Sequence, residues 1–173
     1  MQAVVDGVVE SIAESTKSVF KTMISMDVKS DAPFYEEERM IKTDVMALVS
    51  FTGEYNGTIS IFCRAGTAIK IASNMLGTPM NALDGVVKDA IGEVANMIAG
   101  NVKTGLIDTL GEMTLTIPLV IAGVSFSIST FSGDYEAIVV SSLSCSSNDS
   151  WLMIPFDADG EKIYVGLMVK KIS

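Results

Sequence analysis

The sequence predicts an α+β fold of two layers, a mainly antiparallel sheet with helices packed on one face. Three observations lead there. Residues 82–110 carry the longest helical pattern in the chain. Short apolar runs alternate with turn signals such as SGD, SSND and DADG, and that spacing suits hairpins better than βαβ crossovers. The order of helix, strands and helix, then helix and strands, suggests a degenerate internal duplication. At 173 residues and 49% hydrophobic, the chain can fill a sizeable core, and residues 1–173 are expected to form a single domain.

The elements follow in order. Residues 3–26 read as a helix, with Val5, Val8, Val9, Ile12, Val19 and Phe20 at helical spacing. Residues 27–43 are polar and irregular, hold Pro33 and the run Glu36, Glu37 and Glu38, and read as a solvated loop. Strands are expected at 44–52 and 57–64, with Asn56-Gly57 as the hairpin signal between them. A short helix at 66–76 closes on Gly77 and Pro79. After the long helix, strands are expected at 113–122, 123–131, 135–144, 151–156 and 162–170. The duplication shows in VFKTMISMDV (19–28) against LIDTLGEMTL (106–115), and more freely in WLMIPFDADG against SIFCRAG.

Composition excludes several functions. A net charge of −9 opposes binding to nucleic acid or to an anionic membrane surface. No apolar stretch is long enough to span a bilayer, and the N-terminus lacks the basic start of a secretion signal, so a cytoplasmic protein is expected. Cys63 and Cys145 form no CxxC and read as reduced thiols. The chain has no histidine, which removes Ser–His and Cys–His hydrolases and the commonest metal ligand. Asp157, Asp159 and Glu161 lack the spacing of a calcium loop and read as a hairpin turn. Of the 11 methionines, Met23, Met26, Met75, Met97 and Met153 read as core filler, and Trp151 as a core strand residue.

Helical geometry places Asp89 at zero, Glu93 at about 40°, Asn96 at about 340° and Gly100 at about 20°. Val87, Ile91, Val94, Ile98 and Val102 fall on the opposite side, at about 140–220°. Every amphipathic helix has a polar face, and a stripe is usually only solvated. Here Asn is a mediocre helix former, and Gly100 costs about 1 kcal/mol relative to Ala. Gly92 and Gly105 carry similar costs. A glycine beside polar side chains lets another backbone approach, either within the chain or from a partner.

Asp89-x3-Glu93-x2-Asn96, followed after 21 intervening residues by Pro118, resembles the signature of the CheC, CheX and FliY phosphatases. The string GEVANMIAGNVKT resembles that family's helix. Such a set arises by chance in roughly one chain in a hundred or fewer. The likeness covers nearly the whole chain and implies a pseudo-duplicated, CheC-like fold. The first helix offers Asp6-x3-Glu10-x2-Ala13, where Ala13 replaces the asparagine, so this copy is expected to be inactive. One working site per chain resembles CheX-type members.

The resemblance implies an enzyme that dephosphorylates the aspartyl phosphate of a CheY-like chemotaxis receiver. Glu93 and Asn96 are then the catalytic pair, with Glu93 meeting the receiver's lysine and Asn96 holding a water. Asp89 and Gly100 are expected to bind the partner, and Pro118 to shape the chain beside the site. The chain itself is expected to hold no cofactor or metal, and Mg²⁺ to sit in the receiver. The resemblance also implies a homodimer. The alternative is a response-regulator-binding module without catalysis, similar to flagellar switch proteins, which would have no need of Asn96.

Overall fold

The computed structural model describes residues 2–36, 43–126 and 151–171. The expected strand at 135–144, residues 127–131 of the strand expected at 123–131, Glu37, Glu38 and Cys145 lie outside these residues.

The helical face of the first segment buries Val8, Ile12, Val19 and Phe20. It forms α1 (Gln2–Val19), which widens into a π-helical turn (Phe20–Ile24) and stops at Ser25, whose φ of 55° is left-handed. The polar segment that follows is not all loop. It contains β1 (Val28–Ser30) and β2 (Phe34–Glu36), both antiparallel to β7 (Trp151–Ala158). Three-residue strands are too short to show a period of two, so only their partner reveals them.

β3 (Thr43–Gly53) and β4 (Tyr55–Cys63) form the expected hairpin, but its turn is elsewhere. Phe51 pairs with Gly57, so the reversal centres on Glu54 and Asn56-Gly57 lies within β4. A side chain at Gly57 would collide with the Phe51 ring and the Met168 carbonyl oxygen. That glycine serves close approach between strands rather than a turn.

α2 (Ala65–Leu76) ends on the left-handed Gly77. α3 (Gly85–Gly105) starts where the Asp84 carboxylate accepts the Val87 N–H at 3.0 Å. The long helical pattern breaks at Leu106, whose φ of −111° separates α3 from the one-turn α4 (Ile107–Leu110). The expected strand at 113–122 is likewise interrupted, into β5 (Met113–Leu115) and β6 (Leu119–Phe126). Pro118 sits in the gap, where its missing N–H costs no ladder bond. β8 (Glu161–Lys171) follows β7 through a turn built on Asp159 and Gly160, both at positive φ, with the Gly160 N–H donating to Asp157.

Among the described residues eight strands make one sheet, with the path β1-β7-β8-β4-β3-β5. The connections are two-fold in pattern. β1 and β2 of the first half pair with β7 of the second. β5 and β6 of the second half pair with β3 of the first. β4 and β8 pair with each other in the centre. The duplication read from 19–28 and 106–115 therefore matches equivalent stretches, each running from a helix end toward an edge strand. The looser echo of WLMIPFDADG does not, because it lies on β7, the counterpart of β3 and not of β4.

One face of the sheet packs on the helices. Val45, Ala47, Val49, Ile59, Ile61, Ile154, Phe156 and Val165 meet Ile12, Ile71, Ile91, Val94 and Ile98 in the main core. The other face carries a smaller cluster of Met46, Phe62, Trp151 and Met153, with Phe62 and Trp151 edge to face. Helices on one face of an antiparallel sheet are the expected architecture.

Candidate active site

α3 is held from both sides, and two glycines make this possible. A methyl group on Gly92 would stand 3.1 Å from Val120 Cγ2 and 3.7 Å from Pro118 Cγ. The absence of a side chain there lets the segment entering β6 lie directly on the helix. At Gly105 a methyl group would collide with Ser11 Oγ, so α1 approaches the other end. These intramolecular contacts account for two of the helix's costly glycines. Among the described residues nothing lies within 4 Å of a Cβ built on Gly100, so with respect to them that position opens outward.

The five apolar residues Val87, Ile91, Val94, Ile98 and Val102 are all buried. Their burial fixes the rotation of the helix and turns the opposite stripe out. Asp89 and Glu93 are exposed, while Asn96 and Gly100 are half-buried. Among the described residues, no side-chain hydrogen bond or ion pair engages Asp89, Glu93 or Asn96. Glu93 therefore does not spend its charge on Lys88. The Thr104 hydroxyl donates to the Gly100 carbonyl oxygen at 3.1 Å, a side-chain bond back onto the preceding turn of the helix.

Pro118 is brought to the site from a different element. It rests against Gly92, the residue before Glu93, on the flank where Asn96 lies one turn on. Its segment is pinned at the other end, where the Thr116 N–H donates to the Ser50 carbonyl oxygen at 2.9 Å and the Ser50 N–H donates to Thr116 Oγ1 at 3.1 Å. The expected set of Asp89, Glu93, Asn96, Gly100 and Pro118 thus belongs to one region. Sequence reasoning missed two large apolar residues left exposed, Val86 in the first turn of α3 and Ile117 directly before Pro118.

The first-helix copy is built differently. Ala13 is 7% exposed and belongs to the core, so the position equivalent to Asn96 faces inward. Lys17, equivalent to Gly100, pairs with Glu14 at 3.0 Å.

The remaining chemistry is limited. Burial, assisted by Asp44, pushes the Cys63 thiol up to about 12, which removes it as a nucleophile. Among the described residues no group of three or more Cys, Asp or Glu could hold a metal ion. No helix among them is long and apolar enough to cross a membrane. What the α3 stripe offers is a carboxylate and an amide one turn apart, without side-chain partners among the described residues. That pair can accept a cation and orient a water, but has no means of making a covalent intermediate by the usual base-activated route.

Comparison with known proteins bears on the same region. The family model described as "Chemotaxis phosphatase CheX" matches residues 45–142, more than half of the chain and all of α3 through Pro118. The chain belongs to this family. Against the CheY-P phosphatase CheX of Thermotoga maritima it is 26% identical over 125 residues, covering 72% of this chain and 81% of that protein. The crystal structure of a chemotaxis protein CheX from Desulfovibrio desulfuricans is 26% identical, with a TM-score of 0.79 over 94% of this chain and 99% of that one. A CheX from Borrelia burgdorferi, solved in complex with CheY, BeF₃ and Mg²⁺, shares the fold at 24% identity and a TM-score of 0.71, over 94% and 97% of the two chains.

Proposed function

We propose that this CheX-family chain dephosphorylates the aspartyl phosphate of a CheY-like response regulator, and that Glu93 and Asn96 of α3 carry the reaction. The single observation behind the residue assignment is their availability, an amide and a carboxylate on one fixed stripe with no side-chain partner among the described residues. Family membership supplies the activity, and the curated relative bears the name CheY-P phosphatase.

An acyl phosphate has a good leaving group. The receiver's own Mg²⁺, lysine and hydroxyl neutralise the phosphoryl oxygens. What remains to be supplied is a water in line with the bond to be broken. Phosphoryl transfer passes through a loose transition state, so placing that water provides most of the rate. Asn96 accepts from and donates to the water without titrating. The water oxygen bonds to phosphorus, the aspartate carboxylate leaves with the bonding pair, and inorganic phosphate departs with the water's two protons shared between its oxygens and solvent. Glu93 pairs with the receiver lysine, which sets the register of Asn96 over the phosphorus. Asp89 borders the docking surface, and the bare backbone at Gly100 lets the partner come close. Pro118 braces the helix through Gly92. Mg²⁺ belongs to the receiver in this scheme.

The test is to mix the protein with phosphorylated CheY-like receivers and follow release of phosphate. Acceleration over the receiver's own decay is expected for at least one. No acceleration for any would refute the activity. We also propose a cytoplasmic homodimer, joined by exposed sheet edges. Light scattering at micromolar concentration should give twice the chain mass, and a monomer mass would contradict it.

A further inference from the structure

Four of the residues assigned to the docking stripe are polar or lack a side chain, and such a surface gives specificity more readily than affinity. Two large apolar side chains stand beside it. Val86 is 51% exposed and lies at about 60° on the stripe's own scale, two turns before Glu93. Ile117 is 87% exposed and directly precedes the proline that rests on Gly92. Single exposed apolar residues are ordinary on any surface. Leu119 and Ile121 of β6 are exposed too, but they pair with Leu48 and Met46, which belong to the sheet face away from the helices. Val86 lies on α3 itself, and Ile117 on the segment that joins the helix to β6.

Val86 sits in the first turn of a capped helix, where valine is a mediocre helix former and about half of the residue stays in solvent. Ile117 is displayed by a segment fixed on both sides, by Thr116 to Ser50 and by Pro118 to Gly92. The two-fold pattern of the fold adds an independent observation. Pro33 directly precedes β2 as Pro118 precedes β6, so Ile117 corresponds to Ala32. The half that lacks the asparagine also lacks the isoleucine.

We infer that Val86 and Ile117 are affinity contacts for the receiver domain, apolar ground flanking the polar catalytic stripe. A typical partner covers about 800 Å² of each surface. Centred between Glu93 and Asn96, such a footprint takes in both the first turn of α3 and the segment braced on Gly92. The receiver is the occupant because this surface is continuous with the side chains that address its phosphorylation site. The inference rests on the proposed phosphatase reading.

The experiment uses steady-state dephosphorylation of a receiver that the wild-type protein turns over, with calorimetric binding of the same receiver carrying beryllofluoride and Mg²⁺. Val86→Ala improves helix propensity, and Ile117→Ala leaves every main-chain bond in place, so folding is not at risk. The double variant should raise KM and Kd by about tenfold with kcat within twofold, as expected for loss of apolar burial. Leu76→Ala, removing a 45% exposed apolar residue on α2, should change neither. Unchanged KM and Kd in the double variant would overturn the inference while wild-type turnover upheld the phosphatase reading. A fall in kcat alone, or a KM rise accompanied by a change in oligomeric mass, would also overturn it. Failure of the wild type to act on any receiver would remove both readings together.

Discussion

α1 and α3 occupy corresponding places in the two halves of the fold and carry the same Asp-x3-Glu spacing, Asp6 and Glu10 on one, Asp89 and Glu93 on the other. What separates them is the surroundings of the next turn. Ala13 is buried in the core, whereas Asn96 stands half-exposed beside an open space at Gly100. Lys17 fills the place of Gly100 and pairs with Glu14. On α3 the residue before the glutamate is Gly92, which admits Pro118 and Val120; on α1 it is Val9, packed against the core. The contrast shows how differently the same spacing is set. On the proposed reading a working site takes a glycine to seat the bracing segment, an outward asparagine and an uncovered neighbour, and of the two helices α3 has all three.

The largest expected difference lies between the two glutamates. Glu93→Ala should slow dephosphorylation on the order of a hundredfold, since a shift of about 1 Å in a positioned group costs that much. Glu10→Ala should leave the rate unchanged. Glu93→Gln keeps the shape and removes the charge, and should behave like Glu93→Ala. Rates for Glu93→Gln near wild type would refute the ion pair with the receiver lysine while sparing Asn96. A smaller effect is expected from making α3 resemble α1 at the open position. Gly100→Lys should raise KM by about tenfold through steric exclusion of the partner, with stability equal or improved because a helix-interior glycine is relieved. Unchanged KM would show that no partner backbone comes close there. The smallest effect on turnover is expected from the reverse change. Ala13→Asn completes the motif on α1 but buries an amide, so it should lower stability by about 1–3 kcal/mol in denaturant melts and add no activity. A gain in activity would mean that the first half can still form a site.

Legibility in the sequence followed the same division. The stripe on α3, its apolar back and the β3–β4 hairpin were readable because each repeats a local period over many residues. The two-layer class followed from strand spacing. β1 and β2 were not readable, since three residues carry no period and their strand character comes from β7. The hairpin turn was misplaced because Asn56-Gly57 has turn chemistry, yet the glycine is required by Phe51 and Met168 across the sheet. The roles of Gly92 and Gly105 were equally hidden, because each is set by a residue distant in sequence, Pro118 or Ser11. Burial of Ala13 could not be inferred from the motif. It follows from the way α1 rotates to place Ile12 and Thr16 in the interior.

Asn96 carries the central claim, and Asn96→Ala tests it most directly. Single-turnover release of phosphate from a receiver should fall by on the order of a hundredfold or more, because the attacking water loses its positioning amide. Binding of the same receiver charged with beryllofluoride and Mg²⁺ should be nearly unchanged, and so should the melting temperature, because the side chain has no partner among the described residues. A single-turnover rate within a few-fold of wild type would contradict the account.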